Sequence, residues 1–212
     1  MLQTQTVELS TLGLIRSLQS RNYLNGFNLA GGTALSLYLG HRKSIDVDLF
    51  SNFSFDTAQL IESLQQDYKL QLYSTTANTI NGNIENVNVD IIAHRYPLLK
   101  DPAEIEGIRI LSEPDIVAMK LNAISVSGQR LKDFIDIYFV LENNKYSLED
   151  MLKFYRMKYS QESDMHVLKS MVYFEDVDLA DWPVMLRKQN LKWFDVSSRL
   201  EKEVMKLIRT EN

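Results

Sequence analysis

The chain has 212 residues, 45% hydrophobic and 24% charged, with a formal net charge of −5, the profile of a soluble globular protein, one sizeable domain or a domain with a smaller appendage, that is no general polyanion binder. With no cysteine, disulfides and cysteine-ligated metal centres are excluded, and the scattered His41, His94 and His166 argue against a histidine-based zinc site. No apolar run approaches the roughly 20 residues of a membrane span, and the first residues lack the basic and apolar segments of a secretory signal, so a cytoplasmic protein without membrane contact is expected.

In chain order, Val7, Leu9, Leu12, Leu14, Ile15 and Leu18 follow mostly helical spacing over 6–20. Phe27 to Ala30 reads as a short strand that runs into Gly31-Gly32. A short helix over 33–39 is closed by Gly40, where helices often need a left-handed residue. Residues 44–50 alternate and predict a strand. Its core face is Ile45, Val47 and Leu49, with Asp46 and Asp48 together on the other. A helix over 56–66 is capped by Ser54 or Asp56. Residues 69–75 predict a strand, and Asn81-Gly82 predicts a hairpin turn leading into NIENVNVDIIAHR. There Val87, Val89 and Ile91 share one face, and Asn88 and Asp90 the other. A short strand over 107–111 follows.

Ser112-Glu113-Pro114-Asp115 combines a capping serine, a first-turn proline and an acid three residues on, the signature of a helix start. Helices are then predicted over 115–125, 132–142, 148–159, 164–173 and 194–208. A strand-rich first half and a helical second half indicate an α+β protein, divided into 1–111 and 112–212. Residues 1–150 hold 12 basic and 18 acidic side chains, against 11 and 10 in 151–212. The basic stretch Arg187–Arg209 reads as a solvated helix face or, alternatively, as a nucleic-acid surface.

The chemistry lies in three acids. Asp46 and Asp48 project together, and if the strand bearing Asp90 is a neighbour, three carboxylates converge. Uncompensated, they would repel and be pushed toward protonation. Mg²⁺ removes that conflict, because it takes carboxylate oxygens and completes its shell with water and substrate phosphates. Two such ions could clamp the attacking and leaving oxygens of a phosphoryl transfer. Gly31-Gly32 lets the backbone approach phosphate oxygens. The next helix offers free N–H groups to an anion, Thr33 a hydroxyl, and Arg42 and Lys43 positive charge. His41 reads as a structural hydrogen-bonding residue rather than a base.

GGTALSLYLGHRKSIDVDLF (31–50) resembles the first motif of the polymerase-β-like nucleotidyltransferase superfamily, and its specific form resembles the AbiEii/AbiGii toxin-type branch. SEPDIVAMKLNAISVSGQRLKDFIDIYFVL (112–141) is similar to that branch's second block, although Lys132 stands where many relatives have arginine. The resemblance runs over about residues 28–180. It implies a nucleotidyltransferase core followed by helices that complete the site. Lys120 would contact the nucleoside triphosphate, and Asp133 and Asp136 would be functional acids. From the residues alone, those two acids could instead pair with Arg130 or Lys132. Asp46 and Asp48 would ligate two Mg²⁺ with Asp90, which would also help deprotonate an acceptor hydroxyl. The implied acceptor is RNA, tRNA foremost, in a toxin-like role that allows a cognate antitoxin protein. A small-molecule acceptor of the antibiotic-modifying type and a non-catalytic nucleotide-binding module are the alternatives.

Overall fold

Alternating apolar strands and a strongly apolar second-half helix fold around one another in the computed structural model, which describes residues 1–127 and 129–210. After a 3₁₀ turn at Thr4–Thr6 come α1 (Leu9–Gln19), β1 (Asn28–Leu29), α2 (Gly31–Leu39), β2 (Val47–Ser51) and α3 (Thr57–Asp67). Then follow β3 (Leu70–Thr76), β4 (Thr79–Ile84), β5 (Val87–Ala93), β6 (Ala103–Ile105) and β7 (Ile108–Ile110). The rest is helical: α4 (Glu113–Ser127), α5 (Leu131–Glu142), α6 (Leu148–Tyr159), α7 (Met165–Ser170) and α8 (Trp193–Thr210). None of these helices is long and apolar enough to cross a membrane. The expected α+β class is thus observed.

The strands form one mixed sheet in the order β3-β4-β5-β2-β1-β7-β6. β2 runs parallel to β5 and β1 parallel to β7, while the remaining pairs are antiparallel. Val47 and Leu49 of β2 and Val87, Val89 and Ile91 of β5 are buried. That burial fixes the register, since a one-residue slip would turn the acids inward. Ile116, Val117, Ala118, Leu121 and Ile124 make α4 the buried axis of the helical half, with α2, α5, α6 and α7 packed around it.

Local signals explain most boundaries. Gly40 ends α2 in the left-handed conformation at φ 67°. The Asp56 side chain caps α3 by accepting from Gln59 N. Ser112 Oγ accepts from Asp115 N at the start of α4, and Ser147 with Asp150 forms a capping box on α6.

Two expectations are corrected. Ile45 precedes β2 and is 64% exposed, so it belongs to no core face. Asn81-Gly82 lies inside β4, paired with β3 and β5. The turns sit instead at 77–78 and 85–86, where Asn78, Glu85 and Asn86 carry the positive φ angles. Strand β6, too short for a periodic signal, was not expected.

Candidate active site

Parallel pairing of β2 with β5 sets Asp48 directly opposite Asp90. Asp46, one residue before β2, accepts from Asn88 Nδ2 at 3.1 Å. Asp90 Oδ1 accepts from Asn81 Nδ2 at 2.8 Å, and Asn81 Oδ1 accepts from Ser74 Oγ at 3.0 Å. A polar row, Asp48–Asp90–Asn81–Ser74, therefore crosses four strands on one face of the sheet.

The glycine pair makes room for side chains of this chain. Gly31 adopts φ +65°, and a Cβ there would lie 1.9 Å from Asp48 Oδ2. A Cβ on Gly32 would lie 2.4 Å from Arg42 Nη2. A carboxylate and a guanidinium of this chain thus pass close to the glycine backbone. The N-terminus of α2 has no side-chain cap, which leaves its N–H groups and positive dipole end at the site. Thr33 is buried, and its hydroxyl donates to the Asp46 carbonyl at 2.5 Å and lies 2.8 Å from the Ser44 hydroxyl. It holds the Asp46 backbone in place and does not line the cleft described below.

Behind this face lies a buried charge network. Lys120 Nζ is 2.5 Å from Asp133 Oδ1 and 2.8 Å from Asp136 Oδ2. Arg42 donates to both Asp136 oxygens, at 2.7 and 2.9 Å. His41 Nε2 lies 2.8 Å from Asp136 Oδ1, and Arg130 Nε 3.1 Å from Asp133 Oδ2. Lys132 pairs with Asp181, so of the two partners expected for the acids only Arg130 is used. Burial alone would raise the Asp136 carboxyl. The charges of Arg42 and Lys120 and the hydrogen bonds of His41 and Arg42 outweigh it and hold that carboxyl well below the ordinary range. Burial lowers His41 despite Asp136, so the ring is neutral. With Nε2–H donated to Asp136, its Nδ1 is left without a partner.

These elements enclose a cleft of about 840 Å³. Gly32, Arg42, Asp46, Asp48, Asp90, Lys120 and Asp133 line it, whereas Gly31, Thr33 and Asp136 do not. Asp136, wholly buried, pairs with Arg42 and Lys120 without lining the cleft itself. The cleft also contains residues that the sequence did not assign to the site: Tyr73, Asn88, Arg130 and the return segment Asp181–Val184. Asn88 was legible, sharing a face with Asp90. The return segment was not. It is tied in by Lys43 N donating to Val184 O and Leu186 N to His41 O, contacts that leave no pattern in the sequence.

The acids suit a hard cation. The half-buried Asp48 carboxyl is pushed up to about 6, chiefly by burial, against the pull of Lys120 and with the added charge of Asp90 and Asp46. A cation at this point would relieve that penalty. Among the described residues no group of three His, Cys, Asp or Glu side chains forms a ready-made metal cage. Mg²⁺ is ordinarily held by one or two carboxylates together with substrate phosphates, and the oxygen-only donor set at Asp46, Asp48 and Asp90 fits that mode.

Comparison with known proteins identifies the fold and the family of the chain. A protein of Aquifex aeolicus (strain VF5), aq_aa25, is 31% identical over 166 residues, 76% of this chain and 80% of its own length. The crystal structure of JHP933 from Helicobacter pylori superposes with a TM-score of 0.52 at 18% identity, covering 96% of this chain and 97% of that one. A second H. pylori structure gives a TM-score of 0.53 at 16% identity, covering 97% and 96%. At such identities the two structures establish a shared fold. The family model for the nucleotidyl transferase AbiEii toxin of type IV toxin–antitoxin systems matches residues 14–202, and the chain belongs to that family of nucleotidyl transfer enzymes.

Proposed function

We propose that the protein transfers a nucleoside monophosphate from a nucleoside triphosphate to a hydroxyl of an RNA acceptor, tRNA foremost, with Mg²⁺. The observation that carries this reading is the placement of Asp46, Asp48 and Asp90 on one sheet face, beside the uncapped N-terminus of α2, within one cleft. Asp46 and Asp48, with Asp90 adjoining, would hold two Mg²⁺ ions, which supply charge neutralisation at the phosphates. The N–H groups of α2 receive phosphate oxygens. Lys120 and Arg42, fixed by Asp133 and Asp136, hold positive charge in the cleft wall, and the exposed Arg130 adds more. The acceptor oxygen bonds to the α-phosphorus, the bond from that phosphorus to pyrophosphate breaks, and Asp90 takes the acceptor proton. Asn81 and Asn88 orient Asp90 and Asp46 for these roles. Most of the rate enhancement then comes from positioning and fixed charge.

The family context adds a toxin-like role in the cytoplasm and a cognate antitoxin protein as partner. Labelled nucleotides with Mg²⁺ and total cell RNA provide the test. Label should enter RNA with the wild type and fall by at least a hundredfold with Asp46→Ala or Asp48→Ala. Label that enters only small molecules would transfer the reading to an antibiotic-modifying type of enzyme, and no transfer at all would leave a nucleotide-binding module.

A further inference from the structure

The pairing of β3 with β4 breaks step at one point. Leu72 pairs with Gly82 and Ser74 with Asn81, so Tyr73 is an extra residue in a β-bulge. Two consecutive residues then oppose one partner, and both can turn to the same face. Ser74 is on the acidic face, since its hydroxyl donates to Asn81, and Tyr73 is in the lining of the cleft. The residue is 58% exposed. Gly82 makes the bulge fit, because a Cβ there would lie 2.8 Å from the Gln71 carbonyl oxygen. The glycine that resembled a hairpin turn in the sequence is therefore a strand glycine of the kind that marks bulges and close backbone approach.

Position assigns the ring's partner. Along the polar row the order is Asp48, Asp90, Asn81, Ser74. Tyr73 stands two strands beyond Asp90, roughly 10 Å by strand spacing. The α2 N-terminus, which receives phosphates, lies on the opposite side, next to Asp48. The ring thus sits on the acceptor side of the carboxylates.

We infer that Tyr73 is the acceptor-side stacking residue, whose ring receives the base adjoining the hydroxyl of a single-stranded RNA end. This deepens the proposed function and rests on its assignment of the cleft. An exposed ring on a rigid strand suits this task, because base–aromatic stacking needs a π-face and tolerates any base. One such contact contributes a factor of about five to 150 in affinity.

The test uses the full chain, a fluorescent single-stranded oligoribonucleotide with a free 3′ hydroxyl, and anisotropy. Tyr73→Ala should weaken binding at least fivefold, while Tyr73→Phe and Tyr73→Trp hold it near wild type. Calorimetric affinity for the nucleoside triphosphate with Mg²⁺ should stay unchanged in all three. The inference is overturned if the wild type does not bind the oligonucleotide, or if Tyr73→Ala binds it as the wild type does. It is overturned equally if Tyr73→Phe fails like Tyr73→Ala, or if triphosphate affinity falls in parallel, which would give the ring to the nucleotide. Tyr73-dependent RNA binding by a wild type that transfers no nucleotide would uphold this inference and sink the catalytic reading alone.

Discussion

Asp136 does not line the cleft, yet it pairs with two cations that do, Arg42 and Lys120. It is wholly buried, yet Arg42, Lys120 and His41 all converge on its two oxygens. Taking these charges out of water is costly, and the arrangement is tolerable because each partner compensates another. Removing one charge leaves the others stranded. Asp136→Asn should therefore lower unfolding stability by about 3–5 kcal/mol, measured by urea denaturation at neutral pH. Its pH dependence has a definite sign. A carboxyl depressed in the folded state stabilises fully above its unfolded pKa of about 4. That contribution falls progressively below the unfolded pKa and is gone once pH has passed the depressed value. The wild type should thus lose this stabilisation in strong acid, and Asp136→Asn should show a flatter acid limb. An equal acid dependence in both proteins would remove Asp136 from the centre of the network. In the sequence, Asp133 and Asp136 were visible as two acids on one helical face, but their partners Lys120 and Arg42 come from other elements. Spacing along the chain carries no record of such partners.

At the scale of elements, periodic signals were reliable where burial was one-sided. β5 was legible because Val87, Val89 and Ile91 alternate with Asn88 and Asp90, and α6 was bounded by its own capping box. Failure came where a local signal had a second use. Asn-Gly is favourable in a tight turn because both residues accept positive φ, yet here the glycine is needed for lack of a Cβ. Its carbon would meet backbone atoms of β3, which cannot swing aside as a flexible side chain can. Gly82→Ala should then force β3 away from β4 and cost about 1–3 kcal/mol, as overpacking does. Hydrogen exchange should locate the damage, with faster exchange across 70–76 and little change in α4 to α6. Uniform loosening of the whole chain would show instead that the hairpin is integral to the global core.

The whole molecule brings the two halves of the sequence together at one cleft. β2 and β5 supply Asp48 and Asp90, while α4 and α5 supply Lys120 and Asp133, with Asp136 pairing to Lys120 outside the lining. A ligand that bridges both sets should stabilise the entire fold. Ligand binding to the native state adds RT ln(1 + [L]/Kd), about 2.7 kcal/mol at a hundredfold excess over Kd. For a chain of this size that corresponds to a rise in Tm of roughly 5–10 °C, at about 2–4 °C per kcal/mol. Mg²⁺ with a nucleoside triphosphate should produce such a shift, and neither alone should match it, because the carboxylates and the phosphates each complete the other's cation shell. The double variant Asp46→Ala with Asp48→Ala should lose the metal-dependent part. It should also melt above the wild type without ligand, since the half-buried Asp48 is no longer ionised at neutral pH beside Asp46 and Asp90. Lys120→Ala is expected to behave oppositely, with a lower ligand-free Tm because Asp133 and Asp136 lose a buried cation. A thermal-shift series over these variants separates the two kinds of charge. An undiminished Mg²⁺-nucleotide shift in the double aspartate variant would place the metal away from β2.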